Sequence, residues 1–201
     1  AGSGLRKAME AADGQHSPAD LLDHAYREFT IPPTPDDEFA IEPNALHIWP
    51  RGGFMLIALP NADSSFTATL FLAREGDPSF AKIPENFSGW QQFLHTHFPS
   101  ALPLLSRLEA DLVEHPVSHL GTLRCQRWHL GNTLILGDAA HAVVPFHGQG
   151  MNAAFEDVDD LIELLDQYEH WHELMQAFQE ERKPNTDALA AMALENYEEM
   201  R

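Results

Sequence analysis

A chain of 201 residues is long enough for one domain and part of a second, and its 44 % hydrophobic content with four tryptophans excludes disorder. A formal net charge of −19 excludes nucleic acid and anionic membrane surfaces as partners, because either is repelled before a specific contact forms. The lone cysteine, Cys125, excludes an internal disulfide and any multi-cysteine metal site, which fits a cytoplasmic protein, and no apolar run reaches the about 20 residues of a membrane span.

In chain order, residues 3–12 carry a helical pattern, with Ser3 as N-cap and Leu5, Ala8 and Met9 on one side. HAYREFTIPP (24–33) reads as a strand stopped by prolines. LHIWP (46–50), FMLIALP (54–60) and FTATLFLA (66–73) are strand-like runs separated by the turn compositions RGG and NADSS, and together predict an antiparallel meander. Within the second run Met55, Ile57 and Leu59 share one face and Phe54, Leu56 and Ala58 the other. Both faces are apolar, which predicts a sheet covered on both sides.

From Asn86 to Leu112 the pattern is helical, broken at Pro99 and Pro103, and 115–131 returns to extended structure leading into TLILGD (133–138). After Gly150 the apolar residues Met151, Ala154, Phe155, Val158, Leu161, Ile162 and Leu165 fall on one helical face, expected inside. Asn152, Glu156, Asp157, Asp159, Asp160 and Glu163 fall on the other. WHELMQAFQEER (171–182) and NTDALAAMALENYEEM (185–200) predict two further helices. The histidine clusters HTH (95–97) and HWH (170–172) lack the i, i+4 spacing with a carboxylate that a helical zinc site needs, so no metal is expected.

GDAAHAVVPFHGQGMNAAFEDV (137–158) lies between the apolar run TLIL and the long helix. A buried strand ending in Asp138, opposite a helix starting at glycine, builds a polar crevice. There Asp138 accepts hydrogen bonds from sugar-like hydroxyls, and the free N–H groups of Gly150, Met151 and Asn152 face an electron-rich ligand. Glycines at 148 and 150 let a ligand approach the backbone. The alternative is a plain strand-to-helix connection in which Asp138 caps and the glycines turn.

The same stretch resembles the second flavin-binding motif of the FAD-dependent aromatic monooxygenases: an apolar strand, GDAAH, a short gap, proline, then G-G-N and a helix. AGSGLRKAM (1–9) resembles the tail of that family's middle motif. The segments EPNALHIWPRGGFMLIALPNADSSFTATLFL (42–72), PFHGQGMN (145–152) and MALENYEEM (192–200) are similar to the branch that hydroxylates L-kynurenine, so the resemblance runs over the whole chain. It implies an α+β fold: an antiparallel or mixed substrate-binding sheet plus the C-terminal strand–helix part of an FAD-binding domain. It also implies an internal piece of a longer enzyme, without the N-terminal Rossmann segment and its GxGxxG and without the C-terminal region. The division expected is 1–20 (end of the middle motif), 21–125 (substrate sheet with helical insert), 126–168 (FAD-binding strand, loop and helix) and 169–201 (helices closing the pocket).

The chemistry implied by the resemblance belongs to the cofactor: NADPH reduces FAD, O2 adds to the reduced flavin, and the resulting hydroperoxide hydroxylates kynurenine to 3-hydroxykynurenine, a step of tryptophan catabolism. The protein then supplies no nucleophile. Asp138, Gly148, Gly150, Met151 and Asn152 are the implied flavin contacts. Leu46, Met55, Ile57, Leu59 and Phe71 are implied to line the ring side of the substrate, with ordinary core as the competing reading. Pro145, Phe146 and His147 are implied in the loop between flavin and substrate, where His147 either touches substrate or faces solvent. Asn196, Glu199 and Met200 match the pocket-closing helix, with Asn196 toward the amino-acid end. Two alternatives stand beside this reading: a hydroxylase of another aromatic, and a non-catalytic module retaining the fold.

Overall fold

The computed structural model describes residues 2–200, except for the side chain of Met200. The chain divides into two compact units, Ala1–Leu21 with Gly121–Met200, and Leu22–Leu120. Helix α1 (Gly4–Asp13) and strands β1 (Ala19–Ile31), β2 (His47–Pro50), β3 (Met55–Pro60) and β4 (Phe66–Ala73) come first. Helices α2 (Phe87–His97) and α3 (Leu108–Glu114), then strands β5 (Ser118–Leu123), β6 (His129–Leu130) and β7 (Thr133–Leu134), follow. Helices α4 (Asp138–His141), α5 (Gly150–Leu165) and α6 (Trp171–Met200) complete the described chain. Helix and antiparallel sheet together make the fold α+β, and the chain passes between the units along β1 and β5.

The strands are ordered β2-β3-β4-β1-β5, and β6 and β7 form a separate two-stranded pair. The meander is present: β2 pairs antiparallel with β3 and β3 with β4, placing Met55 opposite Phe71. Its turns are the two read from the sequence. Arg51 N–H donates to Phe54 C=O across RGG at 2.9 Å, and in NADSS the Asp63 carboxylate accepts the backbone N–H and hydroxyl of Ser65.

In the Leu22–Leu120 unit, Ala25, Phe29 and Ile31 of β1 join Leu56, Ala58, Phe66, Ala68, Leu70 and Leu72 against Trp90 and Leu94 of α2. Arg27 shares the buried side of β1, with its guanidinium over the Trp90 ring at 4.8 Å and Nη2 donating to Leu112 C=O. The sheet is not covered evenly on its other face. Met55 and Phe71 are buried, Ile57 is half-buried, and Leu59 is 48 % exposed, so the expectation of two covered faces holds at one end of β3 only.

The second core gathers Met9, Leu123, Cys125, Trp128, Ile135, Ala140 and Leu164 with Leu174, Met175 and Phe178 of α6. Ser3 caps α1 as read, its hydroxyl accepting the Arg6 N–H, but Leu5 is exposed while Arg6 is buried through its bond to Glu10 at 2.8 Å. The two C-terminal helices are one, running through Pro184. Proline deletes one backbone donor there, and the side chains of Asn185 and Thr186 reach the Glu181 and Lys183 carbonyls beside it.

The largest departure concerns α5. The stripe expected inside is exposed at Met151 (68 %), Phe155 (66 %), Val158, Ile162 and Leu165, whereas Ala153, Asp157 and Leu164 are buried. Burying a carboxylate is unfavourable unless it is hydrogen-bonded, and both oxygens of Asp157 are.

Candidate functional site

The GDAAH stretch does not end a long strand. Only Thr133 and Leu134 are in strand β7, Ile135 is buried beyond it with its N–H on Trp128 C=O, and Asp138 is exposed as the first residue of the four-residue α4. The carboxylate is therefore presented at the head of a turn rather than at the tip of a buried strand. Extended residues 123–125 hold this turn from one side, with Leu123 and Cys125 N–H donating to Ala142 and Ala140 C=O.

Gly137 has φ 56° and ψ −145°, a region essentially restricted to glycine, and a Cβ there would lie 3.2 Å from the Ala154 Cβ. The Asp157 Oδ2 accepts the Gly137 N–H at 2.7 Å and meets His141 Nε2 at 2.6 Å. The Asp157 Oδ1 accepts from Arg182 Nε at 2.9 Å, and Arg182 Nη2 also donates to Ala153 C=O. Asp157, His141 and Arg182 are all buried. Burial alone would raise the Asp157 pKa, but the bonds from His141 and Gly137, the His141 charge and the Arg182 bond outweigh it and hold the carboxyl below its ordinary value. Burial likewise works against the Arg182 charge, and Asp157, Asp160 and Glu156 reverse it, raising its pKa further. Burial also pushes the Cys125 thiol up, which keeps it protonated and quiet at neutral pH.

The loop between α4 and α5 contains a 3-10 turn, Pro145–His147, closed by the Gly148 N–H on Pro145 C=O with Gly148 at φ 63°. Pro145, His147 and Gly148 are exposed and Phe146 is half-buried. Helix α5 begins at Gly150 with no side chain capping it among the described residues. The Gln149 side chain instead accepts from Asn152 Nδ2, and Met151 and Asn152 are exposed. The C-terminal end of α6 grips the loop: Asn196 Nδ2 donates to Phe146 C=O at 2.6 Å, and the Tyr197 and Phe146 rings stack with centroids 4.6 Å apart.

The residues singled out from sequence thus fall into two sets. Asp138, Gly148, Gly150, Met151 and Asn152, with Pro145, Phe146, His147, Asn196 and Glu199, lie in the unit containing α4, α5 and α6, where Glu199 is exposed. Leu46, Met55, Ile57, Leu59 and Phe71 lie in the sheet unit, with Leu46 and Leu59 exposed. The side chain of Met200 lies outside the described residues. The Asp157–His141–Arg182 cluster is not evident from the sequence pattern. Its one local signal was charge, since Arg182 and Lys183 are the first Lys or Arg after Arg127 and follow a long acidic stretch.

A family model described as "FAD binding domain" matches residues 53–193. Kynurenine 3-monooxygenase of Stenotrophomonas maltophilia strain K279a is 51 % identical over 202 residues, covering 100 % of this chain and 44 % of that protein. The protein of the same name from Xanthomonas campestris pv. campestris strain B100 is 52 % identical over 204 residues, with the same coverage. The chain therefore spans less than half the length of these curated relatives. Among solved structures, Klebsiella pneumoniae HpxO complexed with FAD and uric acid aligns with TM-score 0.74 at 18 % identity, over 96 % of this chain and 48 % of that one. The tetrameric form of 2-methyl-3-hydroxypyridine-5-carboxylic acid oxygenase aligns with TM-score 0.71 at 19 % identity, over 91 % and 48 %. At such identities the likeness concerns the fold.

Proposed function

Because the chain belongs to the FAD-binding domain family, we propose that it is part of a flavin-dependent aromatic monooxygenase that hydroxylates L-kynurenine to 3-hydroxykynurenine, consuming O2 and NADPH in the cytoplasm. The observation that carries this reading is half-identity to kynurenine 3-monooxygenases over the entire chain.

The residues present fit FAD. The exposed Asp138 carboxylate is a pure acceptor suited to ribose or ribityl hydroxyls. The uncapped start of α5 offers backbone donors at Gly150, Met151 and Asn152 to an electron-rich ring edge, and the left-handed Gly148 beside it presents bare backbone. Bound FAD supplies the redox chemistry, taking electrons from reduced nicotinamide and activating dioxygen. The chain's own residues bind and orient. Asp138 holds the cofactor's hydroxyls, and the α5 N–H groups stabilise negative charge that develops near them. Asn196 and Tyr197 hold the Pro145–Gly148 loop in place through Phe146.

Leu46, Leu59 and the half-buried Ile57 give apolar contact to the substrate ring, and the buried Met55 and Phe71 back that face from within the sheet. Asn196 and Glu199 serve the amino-acid end, together with Met200, and His147 is a polar contact beside the ring. A substrate panel on the full-length protein tests this reading. L-kynurenine is expected to be hydroxylated, with simple phenols and benzoates inert. Preference for a phenol or benzoate would instead assign the chain to a hydroxylase of another aromatic.

A further inference from the structure

The two candidate flavin contacts come from different elements, Asp138 from α4 and the N–H groups of residues 150–152 from the start of α5. One buried carboxylate joins them. Asp157 lies two turns down α5 from Gly150, and its Oδ2 takes both the Gly137 N–H at 2.7 Å, immediately before Asp138, and His141 Nε2 at 2.6 Å, three residues after it. A single oxygen thus pins both ends of α4 to α5. The other oxygen is anchored to Arg182 of α6 at 2.9 Å, so the carboxylate cannot rotate without losing a buried charged partner. Gly137 adds a steric stop, because its Cα packs toward Ala154 on the next turn of α5 and no residue with a Cβ fits there without displacement.

We infer that Asp157, held by Arg182 and His141, is a positioning residue that sets where Asp138 presents its carboxylate relative to the α5 amino terminus. This rests on the assignment of Asp138 as a flavin contact. The observation behind this is that the two groups bonded to Asp157 Oδ2, Gly137 N–H and His141 Nε2, flank Asp138 on either side. Asparagine cannot replace Asp157, since its amide offers one acceptor oxygen, and turning that oxygen toward Gly137 points its NH2 at the Arg182 guanidinium.

The test is a double-mutant cycle on the full-length apoprotein, reading FAD dissociation constants by flavin fluorescence and stability by urea midpoint. Asp157→Asn and Asp138→Ala are each expected to weaken FAD by about tenfold or more, the size of a lost hydrogen bond to a charged group. The double variant is expected to bind FAD within about twofold of Asp138→Ala alone, because nothing remains to position, while Asp157→Asn lowers the urea midpoint equally in both backgrounds. Where Asp157→Asn does not fold, Arg182→Lys, which keeps the charge and gives up the bond to Ala153 C=O, takes its place in the cycle. Multiplying losses of FAD affinity, or Asp157→Asn binding FAD normally, overturns the positioning role. An unchanged FAD affinity for Asp138→Ala overturns the underlying assignment and the inference with it.

Discussion

Arg182→Met is the sharpest perturbation of the network. Methionine fills most of the arginine's volume, so the change isolates charge and hydrogen bonding from cavity formation. The lost bonds are the 2.9 Å contact to the Asp157 carboxylate and the 3.2 Å contact to Ala153 C=O, both buried. The further contacts to Glu156 and Asp160 involve carboxylates 67 % and 38 % exposed and contribute well under about 1 kcal/mol each. What dominates is Asp157 left buried without its guanidinium, a loss of about 3–5 kcal/mol.

A second route gives the same scale. If Asp157 takes up a proton instead, neutralising a carboxyl of ordinary pKa about 3.9 at pH 7 costs (7 − 3.9) × 1.36, or about 4 kcal/mol. The assay is urea denaturation at pH 7 followed by tryptophan fluorescence, since Trp128 is buried with its ring 5.0 Å from that of His141. Adding Asp157→Asn to Arg182→Met is expected to return about 1 kcal/mol or more by removing the stranded charge. A loss below about 1 kcal/mol for Arg182→Met, with no recovery in the double variant, would show that buried Asp157 does not depend on the guanidinium.

Three further outcomes are expected. Gly137→Ala forces a side chain into a glycine-only conformation 3.2 Å from Ala154, and should cost about 1–3 kcal/mol of stability while weakening FAD binding; a neutral effect on both would show the turn to be adaptable. Asn196→Ala removes the bond to Phe146 C=O, worth about 1 kcal/mol, and should raise the KM for L-kynurenine more than the FAD dissociation constant; equal effects would remove Asn196 from the substrate side. The depressed pKa of Asp157 fixes the sign of a pH effect. Its contribution is complete above the ordinary carboxylate value of about 3.9 and is lost as pH falls through the lower folded value, so acid unfolding below about pH 4 should be shallower in Asp157→Asn than in wild type.

How far the sequence could be read depended on whether the determining contacts were local. The Ser3 cap, the RGG and NADSS turns, the three meander strands and the Gly150 helix start are set by residues within a few positions of one another, and all were legible. The face of α5 was not. Periodicity assigns the apolar stripe inward, whereas the structure turns Asp157 inward because His141, Gly137 and Arg182 complete its bonding from 16, 20 and 25 residues away. No local pattern encodes such a pairing, and composition argues against burying an acid. The shortened strand before Asp138 has a similar cause. The Ile135 N–H on Trp128 C=O continues the β6–β7 pairing by one residue, and the chain then enters the turn that Asp157 holds, so the paired segment stops short of Asp138.

Hydroxylation of L-kynurenine is read directly on the full-length, FAD-loaded protein, by following NADPH oxidation with and without L-kynurenine while quantifying 3-hydroxykynurenine in the same reaction. Kynurenine is expected to stimulate oxidation, with product forming in step with the NADPH consumed. Absence of both stimulation and product would show that the protein does not hydroxylate kynurenine.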